Sequence, residues 1–295
     1  MIVSMTASKL TAIAAFVTAS LLTACAQSRP LRVIDAHTHT EFTGELEKTS
    51  GIPMTRKRYF EELHSIGGVG AVAHTGQDGS DYVDLRAQNV VHCAGVRASV
   101  DTVRVETGLK TGKFGCIKIY LGYVHQFASH SAYHPAYRLA EKYDVPVVFH
   151  TGDTYSTEGK LKYSDPLTID EVAVDFPKVK FVIAHIGNPW IQSAAEVAYK
   201  NPNVYLEGSA LLIGNLDEMP REKVDEYVTR PVAWAFGYLE NPEKLMYGTD
   251  WPLTDMASYL KAFQRAIPPE HWDAVFYGNA ARVFKLADKA EKKTK

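Results

Sequence analysis

Apolar and amphipathic segments alternate along the chain from residue 31 onward. Eight short, near-continuous apolar runs are typical of strands that are buried on both faces of a parallel sheet. They predict strands at 32–36, 69–74, 90–96, 115–120, 146–150, 180–185, 204–207 and 245–250. The intervening segments predict a short helical turn around 82–87 and helices at 57–65, 99–111, 135–143, 169–175, 190–199, 223–239, 256–266, 271–277 and 280–286.

This alternation predicts an α/β fold built from βαβ units, and eight strands are the number found in a (β/α)8 TIM barrel. An open doubly wound sheet is the alternative. No Gly-x-Gly-x-x-Gly follows the first predicted strand, which argues against a dinucleotide-binding sheet. Because no repeat or long flexible linker interrupts the pattern, we predict one domain over 31–288 and a charged tail at 289–295.

Composition is consistent with a folded domain of this size. The chain has 295 residues, of which 46% are hydrophobic and 22% are charged. This is enough to form one large core. The formal net charge is -2, so no large basic field points to nucleic acid as a partner.

The first thirty residues form a separate segment. Lys9 precedes a run of apolar or small residues at 10–24, which is too short to span a bilayer comfortably and predicts a signal peptide over 1–24. The run ends in Leu-Thr-Ala-Cys, which resembles the lipobox of bacterial lipoproteins and implies acylation of Cys25, with 25–30 as a short tether. An ordinary secretory signal is the alternative.

The lipobox resemblance also implies a location. Several acyl chains on one cysteine anchor a protein stably in a membrane, whereas a single chain does not. Ala26 after the cysteine resembles the pattern that sorts lipoproteins to the outer membrane. We therefore expect a bacterial cell-envelope protein that is held in the outer membrane by its N-terminal lipid and faces the periplasm.

Two further cysteines, Cys93 and Cys116, lie in predicted strands. An oxidising compartment permits a disulfide between them. Because both lie in apolar runs, we expect two buried free thiols, with the disulfide as the alternative.

Two histidines follow the first predicted strand. His37 and His39 are two residues apart, and in an extended backbone such residues point to the same face. Neutral imidazole is the commonest metal-binding side chain, and two converging imidazoles supply half of a tetrahedral site. The pair therefore indicates a metal site just beyond the strand.

Later predicted strands also end in residues that can bind metal or act on a substrate. In a (β/α)8 barrel the carboxyl ends of all strands meet at one rim, where active sites lie. The sequence places five such residues there, namely Lys118, His150, His185, Glu207 and Asp250. Each has a structural alternative, such as a buried histidine or an Asx turn at the aspartate. A lysine between two isoleucines inside a barrel, however, needs a partner or a function.

Five sequence motifs carry a specific resemblance. They are Asp-Ala-His-Thr-His at 35–39, Val-Val-Phe-His-Thr-Gly at 147–152, Ala-His-Ile-Gly-Asn-Pro-Trp at 184–190, Tyr-Gly-Thr-Asp-Trp-Pro at 247–252, and Gly-Asn-Ala-Ala-Arg at 278–282. In this order they resemble the amidohydrolase superfamily, in the branch called amidohydrolase family 2. The resemblance covers nearly the whole chain after the N-terminal segment and implies a TIM barrel of the metal-dependent hydrolase type.

The resemblance also implies roles for the rim residues. His37, His39, His150 and Asp250 match the metal ligands, and Asp250 also takes the proton of the attacking water. His185 matches a residue that polarises the substrate or positions water, and that binds the second ion in two-metal relatives. Lys118 lies where two-metal relatives carry a carboxylated lysine, although an unmodified lysine is also common. We expect one divalent ion, with zinc favoured, and two ions remain the alternative.

The expected reaction is attack of a metal-activated water on a C–O or C–N bond of a small molecule, as in a lactone, ester or amide. The resemblance leaves open a decarboxylase that acts on an unsaturated or aromatic acid, and a non-catalytic binding lipoprotein is a third hypothesis. We expect the substrate to contact Lys118, Tyr120, Glu207 and Trp251. Relatives are often dimers or larger, so a homo-oligomer also stays open.

Overall fold

Eight parallel strands form one sheet whose order follows the sequence from β1 to β8. The computed structural model describes residues 30–76 and 79–286. The predicted signal peptide, Cys25 and the charged tail lie outside the described residues. The strands are Val33–Thr38 (β1), Gly68–His74 (β2), Val90–Val96 (β3), Cys116–Ile119 (β4), Val147–Phe149 (β5), Phe181–Ile183 (β6), Val204–Glu207 (β7) and Leu245–Met246 (β8).

Backbone hydrogen bonds also connect the first and last strands. The Ala36 amide donates to the carbonyl of Tyr247 over 3.0 Å, and the Asp250 amide donates to the carbonyl of His37 over 2.7 Å. Thr38 and Trp251 form a parallel bridge beyond β8. These contacts close the sheet, which confirms the predicted (β/α)8 barrel.

Helices lie between the strands as predicted. The α-helices are Arg56–Ser65 (α1), Thr102–Lys110 (α2), Leu121–Val124 (α3), His134–Tyr143 (α4), Thr168–Asp175 (α5), Ile191–Lys200 (α6), Arg221–Val224 (α7), Arg230–Leu239 (α8), Met256–Ala266 (α9) and Asn279–Phe284 (α10). A π-helical segment, Asp225–Thr229, joins α7 to α8 within the predicted helix 223–239. Among the described residues, no helix is both long enough and apolar enough to cross a bilayer.

The core has two layers because successive strand residues point to opposite faces of the sheet. Val33 belongs to the large layer between strands and helices. Ile34 belongs to a smaller layer that includes Val72, Val148, Val182 and Met246. Phe284 of α10 packs against this second layer. The barrel interior is therefore a packed core, as expected for the fold.

Two predicted strands end at least two residues before the ends of the apolar runs that suggested them. The run at 180–185 forms a regular strand only as far as Ile183, and His185 and Ile186 then adopt positive φ angles of 58° and 42°. The run at 245–250 leaves regular strand geometry after Met246, and Asp250 has a φ of 62°. In both cases the backbone at the rim adopts a left-handed conformation, which changes the direction of the His185 or Asp250 side chain.

The expectation of free thiols at Cys93 and Cys116 is wrong. These residues are direct partners in the register of β3 and β4, and they form a disulfide. Both side chains are fully buried. Apolar surroundings therefore did not distinguish a thiol from a disulfide, because the cross-strand register that brings the two sulfurs together is not visible in the sequence.

Candidate metal centre

His37 and His39 converge on Asp250 at the carboxyl ends of β1 and β8. Oδ1 of Asp250 lies 3.2 Å from Nε2 of His39 and 3.4 Å from Nε2 of His37. One potential metal-binding atom from each of these three residues lies within 4.8 Å of the other two. The structure thus brings together three of the four residues that the resemblance implied as metal ligands.

The chemistry of this set fits a divalent ion. Oδ1 of Asp250 is buried and makes no hydrogen bond of normal geometry, although two imidazole nitrogens approach it. Buried polar atoms are rarely left in this way. Three potential ligand atoms this close together are what a metal site requires, and two histidines with one carboxylate suit zinc or a similar ion.

Glu207 orients His37 for this role. Its Oε2 lies 2.8 Å from Nδ1 of His37, and both side chains are about 1% exposed. A carboxylate accepts the Nδ1 hydrogen, so the lone pair of Nε2 faces Asp250 and the candidate ion. Metal-binding histidines commonly donate their other nitrogen to a carboxylate in this way. Burial raises the pKa of Glu207, and the Lys118 ammonium opposes that rise and so favours the ionised carboxylate.

Asp250 itself stays ionised. Burial raises the pKa of this carboxyl group, but the adjacent His39 imidazole, together with His185 and Lys118, outweighs burial and holds the pKa well below its usual range. The left-handed backbone at Asp250 turns its side chain toward the histidines. The group is therefore available both as a ligand and as a proton acceptor.

Asp35 ties the two strand ends together beneath the set. Its Oδ1 accepts hydrogen bonds from the His37 amide over 3.1 Å and from the Thr249 amide over 3.0 Å. Its Oδ2 accepts a hydrogen bond from the Thr249 hydroxyl over 2.6 Å. Burial raises the pKa of Asp35 to about 7, and these hydrogen bonds from Thr249 and His37 oppose the rise. The first residue of the Asp-x-His-x-His motif is thus a structural support.

Lys118 lies inside the barrel with no exposed surface. Its Nζ is 3.4 Å from Nε2 of His37. Burial lowers the pKa of Lys118 to about 8, and the charges of Asp250 and Glu207 oppose this shift. Its placement next to His37 agrees with the position implied for a bridging lysine, and carboxylation of Lys118 stays a prediction.

His150 and His185 contact each other at the ends of β5 and β6. Nδ1 of His150 is 3.1 Å from Nε2 of His185, and Nε2 of His150 donates to the carbonyl of Asp153 over 2.8 Å. His150 thus lies outside the three-residue set, and its role as a fourth ligand stays a prediction. Burial lowers the pKa of His185 to about 4, so this imidazole is neutral at pH 7.

Two site residues were missed in the sequence. The Ser209 hydroxyl donates to Oε2 of Glu207 over 3.0 Å and lies 2.9 Å from Nδ1 of His185. Potential ligand atoms of His37, His185 and Glu207 also lie within 4.8 Å of one another. His74 has its ring centroid 4.1 Å from that of His37, and its Nδ1 is buried without a partner. His74 ends a predicted strand, as His150 does, so the signal was present. Ser209 carries no such signal.

A cavity of about 690 Å³ opens above this centre. His39, His150, His185 and Asp250 line it, as does the predicted substrate contact Tyr120. Tyr120 is held by a hydrogen bond of 2.8 Å from its hydroxyl to the carbonyl of Thr75. Burial keeps the pKa of Tyr120 well above its ordinary value, so the ring remains uncharged.

Three other predicted substrate contacts do not line the cavity. Lys118 and Glu207 are fully buried, and both contact His37. Trp251 is also fully buried, and it packs against Tyr59 at 5.0 Å between ring centroids. The expectation for Trp251 is wrong because the backbone turn at Asp250 sends the next side chain into the layer of core beneath α1.

A His-His-Asp set at the carboxyl end of a (β/α)8 barrel defines a TIM-barrel protein with a candidate metal centre. The family model Amidohydro_2, described as Amidohydrolase, matches residues 34–286, and the chain belongs to this family. The resemblance drawn from the five motifs is thereby confirmed. The family is metal-dependent, in agreement with the set formed by His37, His39 and Asp250.

Solved structures share the fold at low identity. An amidohydrolase from Burkholderia multivorans with bound HEPES has a TM-score of 0.66 and 14% identity, over 87% of this chain and 100% of that chain. A probable 2-pyrone-4,6-dicarboxylic acid hydrolase from Acinetobacter baumannii has a TM-score of 0.63 and 15% identity, over 87% and 100%. A dihydroxybenzoic acid decarboxylase from Polaromonas sp. JS666 with bound manganese has a TM-score of 0.60 and 14% identity, over 87% and 97%.

These structures establish the fold, and they include both a hydrolase and a decarboxylase. Among curated proteins, no sequence matches this chain significantly.

Proposed function

We propose that this protein is a metal-dependent hydrolase that cleaves a C–O or C–N bond in a lactone, ester or amide. One observation carries the proposal. Nε2 of His37 and Nε2 of His39 lie within 3.4 Å of Oδ1 of Asp250, and His39 and Asp250 line a cavity large enough for a small molecule. Pockets of this size are typical of small-molecule sites.

The proposed cofactor is one divalent ion, with zinc favoured, held by His37, His39 and Asp250. Such an ion supplies Lewis acidity and lowers the pKa of a water molecule to about 7. A second ion would call on Lys118 and His185, and His185 already shares its two nitrogens between Ser209 and His150. The single-ion arrangement therefore needs less rearrangement of the described contacts.

The chain supplies the proton transfers. The Asp250 carboxylate is ionised and lines the cavity, so it can accept a proton from the attacking water and return it to the leaving group. His185 is neutral and also lines the cavity. To polarise a substrate carbonyl, it must exchange the hydrogen bond with His150 for one with the substrate.

Product analysis tests this reaction against the alternative. Full-length protein, purified in detergent and supplied with zinc or manganese, is given lactones, esters and amides in one panel and unsaturated and aromatic acids in another. We expect acids, alcohols or amines from the first panel, in amounts that exceed those made by the His37→Ala/His39→Ala variant. Carbon dioxide released from the second panel, with no hydrolysis in the first, would establish the decarboxylase instead.

A further inference from the structure

We infer that the substrate of this site carries no carboxylate and joins an apolar group to a cationic or uncharged hydrogen-bond-donating group. The inference rests on the proposed function only in taking the cavity above the candidate metal centre as the substrate site. It is drawn from the distribution of charge and apolar surface around that cavity.

Acidic side chains prevail on the lining. Apart from Asp250, three carboxylates line the cavity, and they belong to Glu41, Asp81 and Asp153. Among the described residues of the lining, Lys223 alone carries a permanent positive charge. A site that binds a carboxylate typically supplies arginine or lysine to pair with it. When Asp250 is left out of the count, the lining carries three negative side chains and one positive side chain.

The acidic residues come from loops that are spread over half of the rim, from β1 to β5. Glu41 follows β1, Asp81 follows β2, and Asp153 follows β5. Between the last two, the segment after β4 contributes Tyr120 and Tyr123. The Tyr123 hydroxyl accepts a hydrogen bond from the Tyr155 amide over 3.0 Å, which fixes this side of the cavity. These side chains present hydrogen-bond acceptors and negative charge to a ligand.

The segments after β7 and β8 present a mainly apolar surface, to which Lys223 adds one positive charge. They contribute Leu211, Leu212, Ile213, Met219 and Leu253. In a closed eight-stranded barrel with sequential strand order, β7 and β8 lie across the axis from β3 and β4. The apolar surface therefore faces the tyrosines that follow β4, and His39, His185 and Asp250 also line the cavity.

This arrangement selects against anions. Like charges at close range repel, although the exposure of Glu41 and Asp153 to solvent weakens the effect. A carboxylate bound opposite the apolar surface would meet Asp81 or Asp153, whereas an ammonium or hydroxyl group would find acceptors there. The substrates of a decarboxylase are carboxylates, so the lining also favours the hydrolase.

Binding of matched probes tests the inference without any need for turnover. The probes are 4-phenylbutylamine, 4-phenylbutanol and 4-phenylbutanoate, which share one apolar arm and differ in the charge of the head group. Calorimetry uses the full-length protein as purified, with its metal content unchanged, and each titration is repeated in a chelator to identify any head group that binds through a metal ion. We expect the amine to bind about tenfold more tightly than the carboxylate, with the alcohol between them, since the rim charges are partly solvated.

A double variant checks that the rim residues cause this order. Glu41→Gln/Asp153→Asn removes two negative charges from the lining and should reduce the amine-to-carboxylate ratio severalfold. The control Glu158→Gln/Asp175→Asn removes two negative charges from residues that do not line the cavity, and it should preserve the ratio. A loss of preference in both variants would assign the effect to net charge and overturn the role of the rim.

Tighter binding of 4-phenylbutanoate than of the amine in the unmodified protein would overturn the inference, and so would failure of all three probes to bind. Neither result depends on hydrolysis. If the amine is preferred but no ester, lactone or amide is cleaved, the inference stands and the proposed reaction fails.

Discussion

Among single residues, Asp250 contributes most to the candidate metal centre and to the proposed reaction. Its carboxylate closes the His37/His39 set, and its backbone amide bonds to the carbonyl of His37. The side chain that would accept the proton of water is thus positioned by the same strand pair that positions the two histidines.

Replacement of Asp250 should separate function from folding. Asp250→Asn keeps the shape of the side chain but removes its charge and its basicity, so we expect hydrolysis to fall by at least about a thousandfold. The circular dichroism spectrum should be unchanged. Asp175→Asn, on the exposed end of α5, is the matched control and should retain full activity. An active Asp250→Asn enzyme would remove this residue from the proposed proton transfer.

The sequence predicts some site residues better than others. His37 and His39 were predictable because strand periodicity alone puts both on one face. Trp251 was not, since its direction depends on the left-handed backbone at Asp250. Ser209 also escaped prediction, because only the folded barrel brings its hydroxyl between Glu207 and His185.

At the scale of elements, the site depends on how β1 is joined to β8. The buried Asp35 receives three hydrogen bonds from the His37 amide and from Thr249, and the Thr249 hydroxyl also accepts a hydrogen bond from the Trp251 amide over 3.1 Å. This network holds together two strand ends whose side chains form the candidate metal centre.

Loss of the Thr249 hydroxyl should destabilise the barrel. Thr249→Val leaves Oδ2 of Asp35 and the Trp251 amide without this partner, at a cost of about 1–3 kcal/mol in the free energy of unfolding. Thr249→Ser keeps the hydroxyl and should lose clearly less. Urea denaturation of both variants measures the difference. Equal stability of the two variants would show that the hydroxyl is not what joins the strands.

The Cys93–Cys116 disulfide is a second link between elements, here β3 and β4. It closes a loop with a sequence separation of 23. On a chain-entropy basis, removal of such a link in Cys93→Ala/Cys116→Ala should lower the free energy of unfolding by about 3 kcal/mol.

Thiol titration gives a direct check on this pair. In denaturant, the unmodified protein should have two more reactive thiols per chain after reduction than before it. The double variant should show no such increase. If reduction exposes no additional thiols, the disulfide between β3 and β4 is contradicted.

Strand and helix types were largely predictable, whereas strand ends were not. Near-continuous apolar runs identify strands that are buried on both faces. The runs at 180–185 and 245–250 extend past the regular strands because their last residues, His185 and Asp250, are buried at the candidate metal centre without pairing in the sheet. Hydrophobic pattern does not distinguish these two reasons for burial.

At the scale of the whole molecule, we propose that the barrel is anchored to a bacterial outer membrane through an acylated Cys25 and faces the periplasm. The proposal is supported by the lipobox-like sequence at 22–25. A disulfide within the barrel is compatible with an oxidising compartment.

Cell fractionation tests this location. Cys25→Ser removes the thiol that would carry the lipid, so the protein should move from the membrane fraction to the soluble or culture fraction. Ser28→Ala, three residues further along, is the control and should stay in the membrane fraction. Retention of Cys25→Ser in the membrane would contradict acylation at this residue.

We propose above that the side chains of His37, His39 and Asp250 hold a divalent metal ion. Elemental mass spectrometry of the purified full-length protein and of the His37→Ala/His39→Ala variant tests it most directly. We expect about one divalent metal ion per chain in the unmodified protein and almost none in the folded variant. No bound metal in the unmodified protein, even after incubation with zinc or manganese, or equal metal content in the variant, would contradict it.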